Sequence, residues 1–264
     1  MAWQRALITG SSAGIGEAFA RELAAHGTDL VLVARREPLL KELAVELERS
    51  HGVSVEVLPA DLTDADQCRA VERRLSSPLE PIDLLVNNAG GGDPGAGAFV
   101  AHDRDAVEKQ AILNALSVLR LTHAALTSMK EQGRGNVIQV SAGVGFYPTP
   151  WGATYAASKA FVNSFSQAVD FELGRGDVRV TSVCPGFTRT EAPARLGFSE
   201  DNVPRFLWTD PETVVAAALE GAASGKTLVS PTIVNQIASS VGMRVPKVML
   251  KMAGRFRPLR ESRS

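Results

Sequence analysis

Two side chains in this sequence stand at a spacing that suits proton transfer: Tyr155 and Lys159, in the run Tyr155-Ala-Ala-Ser158-Lys159. On a helix, residues four apart share one face. A phenol with a pKa of about 10 is a poor acid–base group at neutral pH. A neighbouring ammonium favours the phenolate and lowers that value. Bringing it to about 7 takes on the order of 4 kcal/mol of differential stabilisation, within reach of a charge pair in a dry cleft. A tyrosine and a lysine on a solvated face would look the same, so the weight of this pair rests on its company.

The second chemical feature is Thr9-Gly10-Ser11-Ser12-Ala13-Gly14-Ile15-Gly16, between an apolar run and a helical pattern. Glycines at 10, 14 and 16 let the backbone turn sharply and bring a pyrophosphate to a helix N-terminus, where free N–H groups and the dipole favour an anion. The spacing is GxxxGxG, not the GxGxxG of the standard dinucleotide fingerprint. About 20 residues on, a carboxylate would read the adenosine ribose of NAD, and a basic group the 2′-phosphate of NADP. The chain there reads Val33-Ala34-Arg35-Arg36, with Glu37 beyond the strand end. Cations replace the acid, which favours NADP over NAD.

These residues need elements to hold them. Short β-branched runs alternate with segments of helical period: strands near 6–8, 30–33, 53–57, 82–86, 136–140 and 178–183, with a seventh at 227–229. Between them helices are predicted at 14–26, 37–50, 64–75, 105–130 and 151–173, and another starts at Thr209-Asp210-Pro211-Glu212, an oxygen-bearing cap before proline. Such alternation implies βαβ units, hence an α/β fold: a Rossmann-type, doubly wound parallel sheet with helices on both faces. Residues 1–264 read as a single dinucleotide-binding catalytic domain, with an irregular insert at 187–208 and a tail over 244–264.

With the glycine turn, Tyr155 and Lys159 in this order, the chain resembles the short-chain dehydrogenase/reductase family over about residues 4–230. Asn87-Asn88-Ala89-Gly90 is similar to its NNAG segment, Asp61-Leu62 to its adenine contact, and Pro185-Gly186-Phe187-Thr188-Arg189-Thr190 to its nicotinamide-side segment. Ser141 precedes Tyr155 by the family's interval, and Asn114 lies in the long helix where these enzymes keep a catalytic asparagine. The resemblance implies that Tyr155 is the general acid in ketone reduction and the base in alcohol oxidation. It implies that Lys159 tunes Tyr155 and binds the nicotinamide ribose, that Ser141 donates to the substrate oxygen, and that Asn114 connects Lys159 to solvent through a water. Cofactor contacts are expected at Gly10, Ser12, Gly14, Ile15, Gly16, Arg35, Arg36, Asp61, Leu62, Asn88, Ala89, Gly90, Tyr155, Lys159, Pro185 and Gly186. Thr188 and Thr190 complete that set by orienting the nicotinamide.

Two stretches depart from the family pattern. Gly90 to Gly97 is unusually glycine-rich, and the 187–208 insert carries Phe187, Leu196, Phe198, Phe206, Leu207 and Trp208, the material of a substrate lid. Together they favour a hydrophobic ketone or secondary alcohol as substrate. The expected activity is an NADP-dependent carbonyl reductase. A 3-oxoacyl (acyl-chain) reductase is the rival within the family. A non-catalytic dinucleotide-binding regulatory protein is the rival outside it, and the intact set Asn114, Ser141, Tyr155, Lys159 argues against that one, because fold alone does not require those residues.

Composition excludes other classes. The 264 residues carry 28 Lys and Arg against 29 Asp and Glu, a net charge of −1 that gives no basic excess for nucleic acid. Cys68 and Cys184 form no CxxC, and the histidines (His26, His51, His102, His123) form no ligand spacing, so neither a disulfide framework nor a metal site is expected. The N-terminal apolar run is too short for a signal peptide and no 18-residue apolar run occurs, so the expectation is a soluble, cytoplasmic protein. Apolar residues on the two long helices (Leu113, Leu116, Leu119, Leu121; Phe161, Val162, Phe165, Val169) lead to an expected homodimer or homotetramer. The tail over 244–264 carries seven basic residues against Glu261 and so is +6, with Val245, Val248, Met249, Met252 and Phe256 at helical spacing. That pattern suits a peripheral membrane contact. It also suits a helix laid over the cleft or a partner subunit, and the short stripe with a single aromatic favours that reading over the membrane contact.

Overall fold

The computed structural model describes residues 3–92, 98–174, 176–191, 193 and 203–233. Strand β1 (Arg5–Thr9) is buried from Ala6 onward, as a parallel strand covered on both faces must be. It leads into α1 (Gly14–Ala25), then β2 (Asp29–Ala34), α2 (Glu37–His51), β3 (Val55–Pro59), α3 (Ala65–Leu75) and β4 (Leu84–Asn87). There follow α4 (Arg104–Ala111), α5 (Ser117–Gln132), β5 (Gly135–Val140), α6 (Ala153–Leu173) and β6 (Val178–Val183). Two short strands, β7 (Phe187–Thr188) and β8 (Trp208–Thr209), precede α7 (Pro211–Ala223) and β9 (Leu228–Val229).

Among the described residues one sheet runs in the order β3-β2-β1-β4-β5-β6-β9, every neighbouring pair parallel. The expected doubly wound fold is thus present. Alternation within each strand divides the core in two. Ala6, Ile8, Leu30, Leu32 and Ile138 pack with α1, α2 and α7. Leu7, Val31, Leu85, Val137 and Val180 pack with α3 and α5 on the other face. The order reverses beside β1, and the crevice outside the strand ends there is where open α/β sheets bind ligands.

Local chemistry sets most helix ends. The Asp64 carboxylate caps α3 by accepting from the N–H groups of Asp66 and Gln67. Gly27, at φ +79°, follows α1. At α7 the expected cap differs: Asp210 stands at the N-cap but makes no capping hydrogen bond, because its carboxylate accepts from Arg189 at 3.0 Å instead. The predicted helix over 105–130 is three segments, α4 and α5 being joined by a π-helical turn, Ile112–Leu116. Trp151 lies before α6 at φ +67°, not within it. Asp170 pins α6 to the sheet, accepting both N–H groups of the Arg179 fork at 2.9 Å, the Val180 N–H, and the hydroxyl of Thr227.

The insert over 187–208 is closed at its base. Strands β7 and β8 pair, and the rings of Phe187 and Trp208 lie 5.5 Å apart. Phe206 is exposed, while Leu196 and Phe198 lie outside the described residues, as do 93–97 of the glycine-rich stretch and the whole 244–264 segment. No described helix is long and apolar enough to cross a membrane, and no described cluster of His, Cys, Asp or Glu could hold a metal.

Candidate active site

Every predicted site segment except the Tyr155–Lys159 and Asn114 helices follows a carboxyl end of a strand. After β1, Gly10 and Gly14 take φ of +67° and +58°, a left-handed conformation that side chains resist. A Cβ on Gly16 would lie 2.3 Å from the Gly10 carbonyl oxygen. A Cβ on Gly14 would lie 3.0 Å from the Thr190 methyl, so the segment after β6 closes against this turn. Thr188 is buried, and Thr190 donates its N–H to the Thr188 carbonyl at 2.8 Å. Pro185 accepts from Gly143 at 2.8 Å, tying this segment to the one that follows Ser141. The glycine turn ahead of α1, where side chains at 10, 14 and 16 would crowd their neighbours, suits a dinucleotide pyrophosphate, and Ile15 packs partly buried against the core beside it.

At the end of β2, Arg36 reaches back to Ser12, its Nε 3.2 Å and its terminal nitrogen 3.1 Å from the hydroxyl oxygen. Arg35 is exposed, its guanidinium 3.9 Å from Asp61 after β3. Partial burial raises the Asp61 pKa, but hydrogen bonds from Thr63 and the charge of Arg35 outweigh it and hold the carboxyl below its ordinary value. Leu62 is buried in the core, so Asp61 presents the polar group of that pair. After β4, the Asn88 side chain donates to the carbonyls of Thr9 (2.9 Å) and Gly10 (3.2 Å). Asn88 therefore shapes the glycine turn, and Ala89 and Gly90 continue past it toward the predicted catalytic residues Asn114 and Lys159.

Those groups come together. Lys159 is 5% exposed and donates from Nζ to the Val140 carbonyl at 2.8 Å. Its Nζ lies 5.8 Å from the centre of the Tyr155 ring. The Ser141 hydroxyl donates to the Lys159 carbonyl at 3.1 Å. Asn114, fully buried in the π turn, donates to the Gly91 carbonyl at 2.8 Å and accepts from the Gly91 N–H at 3.0 Å. It also contacts the Ser158 hydroxyl at 3.3 Å. A Cβ on Gly90 would stand 3.1 Å from the Asn114 oxygen and 3.5 Å from Lys159 Nζ. The glycine here lets the chain pass over both. Single π turns within α-helices are frequent at functional sites.

Burial lowers the Lys159 pKa from 10.5 to about 8. A lysine whose folded pKa lies below its unfolded value loses its proton on folding in that interval, so stability rises with pH between about 8 and 10.5. The native chain is expected to gain on the order of 3 kcal/mol over that range relative to Lys159→Met. Denaturant unfolding of both chains at a series of pH values measures it; a flat difference would place Lys159 in contact with water.

Three contributors escape the sequence reading. Thr9 accepts at its hydroxyl from the N–H groups of Asn88 and Ala89, both at 3.0 Å. Gly91 is clasped by Asn114, and Ser158 bridges Asn114 to the Tyr155 carbonyl. A hydroxyl residue just before the first glycine, and a second glycine after Gly90, were the available signals.

A doubly wound sheet with a glycine turn after its first strand, a serine after β5, and a tyrosine, a lysine and an asparagine on the adjoining helices defines an oxidoreductase of the Rossmann class. The family model for short chain dehydrogenases matches residues 4–200, and the chain belongs to that family. It is similar to the very-long-chain 3-oxoacyl-CoA reductase of Anas platyrhynchos, 33% identical over 222 residues, 83% of this chain and 68% of that protein. Among solved structures it resembles a short-chain dehydrogenase from Sphingobium yanoikuyae in complex with NADPH, with a TM-score of 0.82 and 33% identity, covering 99% of this chain and 98% of the other. It also resembles the bulky-bulky ketone specific alcohol dehydrogenase from Comamonas testosteroni, with a TM-score of 0.78 and 30% identity, over 100% of this chain and 98% of the other.

Proposed function

We propose that residues 1–264 act as one dinucleotide-binding domain that transfers hydride between NADP(H) and a hydrophobic ketone or secondary alcohol. The observation that carries the cofactor preference is the Arg36 guanidinium folded onto Ser12 with Arg35 beside it. Two cations at the end of β2, where an acid would read the NAD ribose, suit a 2′-phosphate. Gly10, Ser12, Gly14, Ile15 and Gly16 hold the pyrophosphate at the start of α1, and Asp61 and Leu62 flank the adenine. Asn88, Ala89, Gly90, Pro185, Gly186, Thr188 and Thr190 enclose the nicotinamide half. The bound cofactor supplies or accepts the hydride. Tyr155 gives the proton to the carbonyl oxygen in reduction and removes it in oxidation. Ser141 releases the Lys159 carbonyl to donate to that same oxygen, and Lys159 stabilises the Tyr155 phenolate. Asn114 relays the proton from solvent toward Lys159 through water.

The bulky-ketone enzyme among the structural relatives supports the substrate class. Likeness to a 3-oxoacyl-CoA reductase favours a second reading, acyl-chain reduction at the same site. Purified chain is to be assayed with NADPH against bulky aryl ketones and 3-oxoacyl thioesters, following nicotinamide absorbance. Bulky ketones should turn over, and NADPH should bind at least tenfold tighter than NADH, a modest difference of about 1.4 kcal/mol. Equal or reversed cofactor affinities would remove the NADP assignment. Turnover confined to thioesters selects the second reading, and no turnover at all leaves a cofactor-binding protein.

Assembly as a homodimer or homotetramer is part of the same proposal. Leu116 and Leu119 are exposed, as is Phe161, whose ring stacks on Phe165 at 5.5 Å. Leu121 and Val162 belong instead to the subunit's own interior, so the apolar faces are narrower than the sequence suggests. A light-scattering mass of about 28 kDa at micromolar concentration would refute assembly. Both cysteines are buried and free, which suits a reducing, cytoplasmic setting. The basic 244–264 segment is the part suited to a peripheral membrane contact, testable by vesicle sedimentation with and without it.

A further inference from the structure

Helix α6 buries an unusually polar face. Ser158, Lys159, Asn163, Ser166 and Asp170 recur along it, all buried. Most have an evident partner: Lys159 on Val140, Asp170 on Arg179, and the serine hydroxyls on carbonyls one turn back. Asn163 is different. It stands one turn beyond Lys159 and is 3% exposed. Its Oδ1 accepts from the Ser182 hydroxyl and from the Cys184 thiol, both at 3.2 Å. Its Nδ2 is buried with no partner.

An unpartnered buried amide costs about 1–3 kcal/mol. Packing alone would be served as well by leucine, which fills a similar space without that cost. What the amide does instead is join three segments. Ser182 lies at the end of β6 and Cys184 just beyond it, and the chain runs on through Pro185 into the segment that closes on the glycine turn. On its other side Gly145, four residues after Ser141, lies flat against the same amide. A Cβ there would stand 2.8 Å from Asn163 Nδ2 and 2.8 Å from the Lys159 carbonyl oxygen. That carbonyl is the one the Ser141 hydroxyl bonds. The Ser141 N–H meanwhile donates to Val183 at 2.9 Å. Asn163 thus sits behind the catalytic serine and lysine, at the junction of β6, α6 and the Ser141 segment.

We propose that Asn163, through its hydrogen bonds to Ser182 and Cys184, is a positioning residue that sets the depth of α6 against β6 and so the placement of Ser141 and Lys159 around Tyr155. The proposal rests on the roles given above to Ser141 and Lys159. Misplacing reacting groups by an ångström can cost about 100-fold in rate, so Asn163→Leu should lower kcat by about tenfold or more while KM moves less than about threefold. Its thermal midpoint and NADPH affinity should stay near native. Cys184→Ser keeps a donor to Asn163 and should retain most of kcat, whereas Cys184→Ala should not. The Asn163→Leu, Cys184→Ala double variant should lose little more than Asn163→Leu alone, as residues acting through one network do.

A readout independent of turnover is thiol alkylation mapped by peptide mass. Cys184 and Cys68 are both fully buried, and Cys68 on α3 reports on global opening. In Asn163→Leu, Cys184 should label about tenfold faster than in the native chain, with Cys68 unchanged. Equal labelling of the two, a native kcat in Asn163→Leu, or a kcat that falls only in step with thermal midpoint and NADPH affinity would overturn the proposal. So would equal losses in Cys184→Ser and Cys184→Ala. Absence of turnover in the native chain would instead count against the proposed activity, and the labelling ratio would still decide this one.

Discussion

Replacing Tyr155 with phenylalanine should abolish carbonyl reduction while leaving NADPH bound. The substitution keeps the ring, which lies in the first turn of α6 with its centre 5.8 Å from Lys159 Nζ, and deletes only the ionisable O–H. A positioned general acid contributes typically about 10²–10⁴-fold, and the loss in kcat should be of that order or larger. Cofactor affinity should change little, because the glycine cradle and the Arg36–Ser12 contact do not involve the phenol. Steady-state rates beside a fluorescence titration of NADPH separate the two effects. A phenylalanine variant retaining a tenth of native turnover would show that another group delivers the proton. Lys159 would be the first to examine, since burial has already brought its pKa to about 8.

The second large effect is expected at Gly16. An alanine Cβ there would meet the Gly10 carbonyl oxygen at 2.3 Å and the Asn88 amide nitrogen at 2.4 Å. Neither neighbour can yield cheaply: one is backbone of the phosphate turn, and the other already bonds Thr9 and Gly10. The turn itself has to open, and with it the N–H groups proposed to bind the pyrophosphate. Overpacking of this kind costs about 1–3 kcal/mol of stability, and NADPH affinity should fall by about a hundredfold. Gly27→Ala is the matched control. Gly27 also has a positive φ, +79°, but an added Cβ meets nothing within 4 Å. That variant should lose about 1 kcal/mol from backbone strain alone and bind NADPH normally. Equal affinities in the two variants would separate the Gly16 contact from cofactor binding.

Several features of this protein were determined by its sequence alone, because they depend on neighbours a few residues away. Strand–helix alternation implied a parallel sheet, and β1, β2, β5 and β6 lie within a residue or so of their expected places. The four-residue interval from Tyr155 to Lys159 put both on one face of the helix that the apolar period over 151–173 predicted. Glycines at 10 and 14 announced a turn whose positive φ only glycine adopts freely. Other features waited for the packed chain. Thr9 reaches Asn88 across 79 residues of sequence, and Arg36 meets Ser12 because β1 and β2 lie side by side in the sheet. Nothing in the helical period around Asn114 marks a π turn, whose extra residue is held by the Gly91 backbone from another strand end. The Lys159 ammonium is the clearest case. Its residue type is written in the sequence, but its lowered pKa comes from burial, a property of the assembled interior and not of any local pattern.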